Sequence, residues 1–310
     1  MKNKIDLEPV SEKELHNVLT KGNVRFLDVK LIQNTDTFEN LWHTLEKLQD
    51  ESRKLSTWQE EANIEIDTDK PILFVGLSDL HIGAIQTKYR ELRNTVELLA
   101  DVPNIYVGSV GDTVDNYLPS FHNEGMFNAM IPPEVQKRLV EYLYEKIGDK
   151  LLFLVNGCHD EASHNADDFD WTKYLQEKFQ CVNLGFGGFI NLKVGKITYR
   201  ICARHKYRFN SSLNLTHTVK RMREQIGNFD IGIIGHNHQS AIELTTIAGE
   251  EKVFIRPGSF KRADRYARSL GFTSAKTCDM PTVILYPDEK RMIPQLNIEN
   301  AVTVLKGIKK

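Results

Sequence analysis

The sequence predicts an α/β protein in which a parallel sheet packs against a second sheet. Three observations carry this. Apolar runs at Pro71–Ser78, Ile105–Gly111 and Leu151–Asn156 are separated by helical stretches at Tyr89–Ala100 and Pro133–Gly148, and strands alternating with helices in this way pair in parallel. After a further helix at Trp171–Phe179 the chain turns to short β segments: Phe189–Val194, Ile197–Cys202, Ile231–Ile234, Ala241–Ile247, Lys252–Arg256 and Thr282–Tyr286. Such a run calls for a second sheet packed on the first. Finally, five short Asp/His clusters each follow an apolar run, at the strand ends where open α/β sheets place their sites.

Taken in order, residues 1–68 read as a helical N-terminal extension. They are acidic and, apart from Gly22, free of glycine turns. Ser11-Glu-Lys-Glu14 forms a capping box. Leu41, Leu45, Leu48 and Leu55 recur at steps of about three and four, with Ser52 filling one seam position, which predicts a helix from Phe38 to Glu61. That stripe either packs on its own domain or pairs with a copy of itself as a homodimer. Residues 69–300 form the main domain. The segment Asn116–Pro132, with His122 and Asn123, reads as a loop over the site. A helix beginning near Ser212 ends within Gln225–Phe229. Residues 301–310 read as a basic tail.

Composition removes several classes. The longest apolar runs are far too short to span a bilayer, the first residues lack the apolar stretch of a secretory signal, and the four cysteines have no CxxC spacing. A cytoplasmic protein with reduced thiols and no membrane partner is expected. The net charge of −2 conceals an asymmetry. Residues 193–310 carry 21 basic against 10 acidic side chains, while residues 71–192 carry 9 against 17. Acidic groups gather where metal ligands are needed and basic ones where a polyanion can lie.

The five clusters are Asp79-Leu-His81, Gly111-Asp112-Thr-Val-Asp115, Gly157-Cys158-His159-Asp160, His205 and Gly235-His236-Asn-His238. In extended chain, residues two apart point the same way, so Asp79 with His81, and His236 with His238, can reach one ion. Mixed carboxylate and imidazole ligands suit Mn, Fe or Zn and catalytic rather than structural centres. In this order the clusters resemble those of the calcineurin-like metallophosphoesterases, over about Pro71 to His238, with Pro257-Gly258-Ser259 beyond. The resemblance implies a four-layer sandwich of two mixed β-sheets flanked by helices, with residues 69–300 as the catalytic domain. It implies that Asp79, His81, Asp112 and His238 hold one divalent metal, and that Asp112 bridges to a second held also by His205 and His236. Manganese is the expected ion. A metal-bridged hydroxide would attack the phosphorus, His159 would give the leaving group its proton, and the Asp115 carboxylate would orient His159.

One position departs from the family. Cys158 stands where the family has asparagine. It ligates the second metal as a thiolate, favouring zinc or iron, or it stands aside, or the protein is a weakened, binding-only relative; a small buried residue is the plain alternative. For substrate, Arg204–Arg208, Lys220–Arg223 and the group Arg256, Lys261, Arg262, Arg265 and Arg268 with Phe260 and Tyr266 suit a nucleic-acid backbone, which makes a nuclease or phosphodiesterase the leading expectation. Arg208, Arg256 and His122 are candidate substrate contacts. Arg208 or Arg256 equally suits a clamp on one small phosphate, as in an enzyme for nucleotides or phosphoproteins.

Overall fold

The computed structural model describes residues 38–54, 60–116, 129–208, 210–211, 213–263, 271 and 278–308. The Ser11–Glu14 capping box, His122, Asn123, Arg265, Tyr266 and Arg268 lie outside the described residues. The chain divides into two units, residues 1–57 and 58–310. In the first, helix α1 spans Phe38–Lys54. Leu48 is buried, while Trp42 and Leu45 are exposed. The predicted helix end at Glu61 is corrected by the second unit, where Glu61–Ile66 is strand β1. Ala62, Ile64 and Ile66 alternate with polar residues, a period of two that no helix can bury.

The second unit holds two six-stranded sheets. In the first, β2 (Ile72–Leu77), β3 (Ile105–Ser109), β4 (Leu151–Leu154) and β5 (Val182–Asn183) run parallel. β11 (Thr282–Leu285) adds antiparallel beside β2, and β12 (Met292–Gln295) beside β11. The order is β12-β11-β2-β3-β4-β5. The second sheet runs β1-β6-β7-β8-β10-β9. It is built from β6 (Gly188–Val194), β7 (Ile197–Arg204), β8 (Ile231–Ile234), β9 (Ala241–Ile247) and β10 (Glu250–Arg256). β1, β7 and β10 make its parallel pairs, with β6, β8 and β8 respectively. Both sheets are therefore mixed.

β2 shows why the layers stack. All six of its residues are buried, so both faces must be covered. Ile72 and Phe74 join Ile190, Leu192, Ile201, Ile231, Ile233 and Val253 in a core between the sheets. Leu73, Val75 and Leu77 join residues of α2 (Tyr89–Asp101), α3 (Pro133–Ile147), α5 (Trp171–Phe179) and α7 (Ile298–Gly307). On the far face of the second sheet Cys202, Ile234 and Phe254 pack with Val219 and Met222 of α6 (His217–Ile226). The result is helix, sheet, sheet, helix. The short α4 (Glu161–Asp167) follows the third cluster.

The expected basic tail is also corrected. Residues 301–307 continue α7, whose Asn297 caps the helix by accepting from Asn300 N–H. Ala301 and Val302 are buried. No described helix is long and apolar enough to cross a membrane.

Candidate metal centre

Every expected cluster sits on a loop leaving the C-terminal end of a strand: β2, β3 and β4 from one sheet, β7 and β8 from the other. The loops are woven together by backbone bonds. Asp79 N–H donates to Gly111 O at 3.0 Å and His81 N–H to Asp112 O at 3.0 Å. Close approach needs glycine: a Cβ on Gly157 would stand 1.9 Å from Asp112 N, and one on Gly111, at φ +84°, 2.7 Å from Gly157 Cα. Asp79, His81, Asp112, His236 and His238 all have φ between 47° and 73°. Side-chain-bearing residues hold that conformation at a cost of order 1 kcal/mol each, and it persists where the surroundings over-determine it. Here it turns successive side chains inward.

The side chains converge. His81 Nε2 lies 3.0 Å from His238 Nε2, and His238 Nε2 lies 3.2 Å from Asp79 Oδ1. Asp112 Oδ2 lies 3.1 Å from His205 Nε2 and 3.7 Å from His81 Nε2. Cys158 Sγ is 3.7 Å from His236 Nδ1. Asp79–His81–His238 and Cys158–His205–His236 each bring one ligand atom per residue to within 4.8 Å of the others, and Asp112 joins Asp79 and His205 in a third such group. Asp79, His81, Asp112 and His205 are at most 2% exposed. Close as these contacts are, neither Asp79 Oδ1 nor His205 Nε2 makes a hydrogen bond with them. Buried polar atoms without partners are costly, and a cation between them removes the cost.

Proton affinities tell the same story. Burial opposes the charge on Asp79, but His238 and His81 hold it well below the usual carboxylate range. Burial likewise opposes the charge on Asp112, which His205 and His159 keep ionised. Burial lowers His81, yet the carboxylates of Asp115 and Asp79 raise it to about 9. His205 is raised well above its usual value by Asp112 against the same burial. Protons on these imidazoles thus supply the positive charge that the carboxylates demand, in the place where a divalent ion would displace them. Burial holds His159 near 4, and burial with the charge on His205 does the same to His236. The residues fit a pair of divalent cations.

Around this cluster sit groups whose roles the sequence did not reveal. The Asp115 carboxylate faces His81 Nδ1 and Lys261 Nζ, each 3.0 Å from its Oδ1. His159 Nδ1 instead meets the backbone carbonyl of Asp115, at 2.5 Å. This corrects the expected pairing of His159 with the Asp115 carboxylate: the αL turn at Asn116, φ 42°, accompanies a carbonyl aimed at the imidazole. Lys261, expected on a nucleic-acid face, is buried beside Asp115. Asp160 accepts from Thr113 N–H, Thr113 Oγ and Gly157 N–H, locking the second and third loops together. Ser259, of the Pro257-Gly258-Ser259 segment, donates to Asp79 O. Arg256 is buried beside His236, whereas Arg208 is exposed and donates through Nε and Nη2 to Gln225 on α6.

No protein-family model and no curated protein matches the chain. Solved structures do. Chaetomium thermophilum Vps29 is similar at 14% identity, over 72% of this chain and 96% of that one, with a TM-score of 0.40. A Streptococcus pneumoniae protein described as a predicted phosphoesterase is similar at 14% identity, over 74% and 100%, with a TM-score of 0.36. Wild-type Entamoeba histolytica Vps29 complexed with zinc is similar at 14%, over 72% and 97%, with a TM-score of 0.37. At such identities and scores, the chemistry of this chain has to be read from its own side chains.

Proposed function

We propose that this chain is a calcineurin-like phosphoesterase that works with two divalent metal ions, acting on the phosphodiester bonds of nucleic acid. One observation carries the reading: a single buried carboxylate, Asp112, stands between His81 and His205, which belong to separate ligand groups. Asp79, His81, Asp112 and His238 would hold one ion, and Asp112, Cys158, His205 and His236 the other. Two such ions acidify a water and offset the charge that builds on phosphoryl oxygens.

The protein's own groups do the rest. Neutral His159, giving its Nδ1 proton to the Asp115 carbonyl, keeps a lone pair at Nε2. A proton taken up there can pass to the departing alkoxide. The Asp115 carboxylate acts on His81 instead, fixing the ring so that Nε2 faces the cluster, as outer partners of ligating histidines do. Cys158, 3.7 Å from His236, supplies the softest donor of the set, which favours zinc or iron over manganese in the second position.

The excess of basic residues over 193–310 supports nucleic acid as the substrate. A specific observation favours a small phosphate ester as the second reading. Lys220 is paired to Glu243 at 2.6 Å, and Arg208 and Arg223 donate to Gln225 and Asn228, so these cations are engaged within the protein. The test is incubation with end-labelled single- and double-stranded DNA and with bis-p-nitrophenyl phosphate, in Mn²⁺, Zn²⁺ and chelator. Metal-dependent shortening of DNA supports the nuclease. Cleavage of the generic ester alone supports the small-ester reading. No cleavage of either, or equal cleavage by wild type and His159→Ala, overturns both.

A further inference from the structure

Arg256 is the last residue of β10 and is only 2% exposed. A guanidinium so deeply placed normally finds a carboxylate or several carbonyls. Among the described residues Arg256 forms no ion pair, and its Nε and Nη2 have no hydrogen-bond partner. Burial pushes it down to about 10, so it stays cationic at neutral pH. It lines a cavity of about 130 Å³ together with Lys206, Tyr207, Gly235, His236 and Asn237. That cavity shares His236 with the Cys158–His205–His236 group. A second cation, the exposed Lys206, stands at the same cavity.

We infer that this cavity is an anion subsite in which Arg256 and Lys206 hold a phosphate of the substrate other than the one being cleaved. The planar fork of arginine matches two phosphate oxygens, and Arg256, whose Nε and Nη2 are held by no hydrogen bond, lines this cavity. An anion there satisfies a buried charge that the protein leaves unpaired. The cavity adjoins the second ligand group, so the phosphate it takes is a near neighbour of the scissile one. This rests on the phosphoesterase reading for its place in catalysis, but not for its existence: the pocket binds an anion whether or not the centre turns over.

The test therefore measures binding without turnover. The full chain is titrated with inorganic phosphate by calorimetry, in chelator and with metal, as wild type, Arg256→Met and Arg256→Lys. Loss of one charge-assisted fork predicts about 10- to 100-fold weaker phosphate binding in chelator for Arg256→Met, and a smaller loss for Arg256→Lys. Phosphate that binds only with metal present is retained by both. Unchanged affinity in the variants, or no binding by wild type in chelator, overturns the subsite. Should Arg256→Met fail to fold, Lys206→Met together with Arg256→Lys reads the same loss. Competition identifies the source. Displacement of phosphate by a short single-stranded oligonucleotide, but not by a nucleoside monophosphate, marks a neighbouring backbone phosphate. Displacement by the monophosphate marks a terminal one. Displacement by neither overturns the assignment to substrate. Absence of hydrolysis with phosphate binding intact would count against the catalytic reading alone.

Discussion

The two ends of β8 carry buried charge in opposite ways. At its start, Asp230 accepts from Lys252 Nζ at 2.9 Å, Lys290 Nζ at 2.7 Å and Arg200 N–H at 2.9 Å. Lys252, 1% exposed, is also met by Glu250 at 2.7 Å. Both carboxylate oxygens of Asp230 and the Lys252 ammonium are partnered. At its far end, beyond Ile234, the equally buried Asp79 and His205 each keep an atom that lies close to a charged neighbour yet makes no hydrogen bond. Burial is alike; completeness is not. A closed network serves the fold, and one left open by groups of one chemical kind serves a ligand.

Substitutions should separate the two ends. Asp112→Asn is expected to lower metal-dependent hydrolysis on the order of 10³-fold, by removing the shared ligand, while leaving the urea midpoint of the metal-free protein unchanged or raised. A matching loss of stability would erase the distinction. Asp230→Ala is expected to behave conversely. It leaves Lys252 with Glu250 alone and the Arg200 N–H without its acceptor, and urea denaturation should report a loss of about 1–3 kcal/mol, with kcat of the folded fraction retained.

Cys158→Asn sharpens the view of the open end. Cobalt-loaded wild type should show a thiolate-to-cobalt charge-transfer band that the variant lacks, and preference for zinc over manganese should fall about 10-fold. An unaltered spectrum would show that the sulfur stands aside. The smallest effect is one of pH. Burial opposes the charge on Asp230, but Lys290, the Arg200 N–H and Lys252 hold its carboxyl below the usual value of 3.8. Its contribution to stability is present above that pH and lost as pH falls through the lower, folded value. Urea midpoints from pH 5 to pH 2.5 should therefore drop more steeply in wild type than in Asp230→Asn; parallel curves would assign the acid sensitivity elsewhere.

What the sequence made legible follows the same division between local and distant. The βαβαβ opening was readable because β2 and β4 are apolar throughout and the helices between them are amphipathic. β1 was hidden by its glutamates: only alternate residues are buried, next to a helix whose pattern runs toward it. β12 is four residues with a proline inside, and α7 was masked by the lysines at its end. In the site, each ligand pair lies within a few residues and so forms a motif. Lys261 against Asp115, Asp230 against Lys252 and Lys290, and the solitary burial of Arg256 join residues far apart in the chain, and no local pattern encodes them.

The proposed ligands come from both layers: Asp79, His81, Asp112 and Cys158 from one sheet, His205, His236 and His238 from the other. Ions gripped by both would be rivets through the seam of the sandwich. Like a disulfide joining distant positions, they would tie Asp79 to His238 and remove much of the unfolded chain's freedom. Stripping them should therefore loosen the molecule mechanically before it unfolds, and amide exchange should quicken first in the loops that follow β3 and β8.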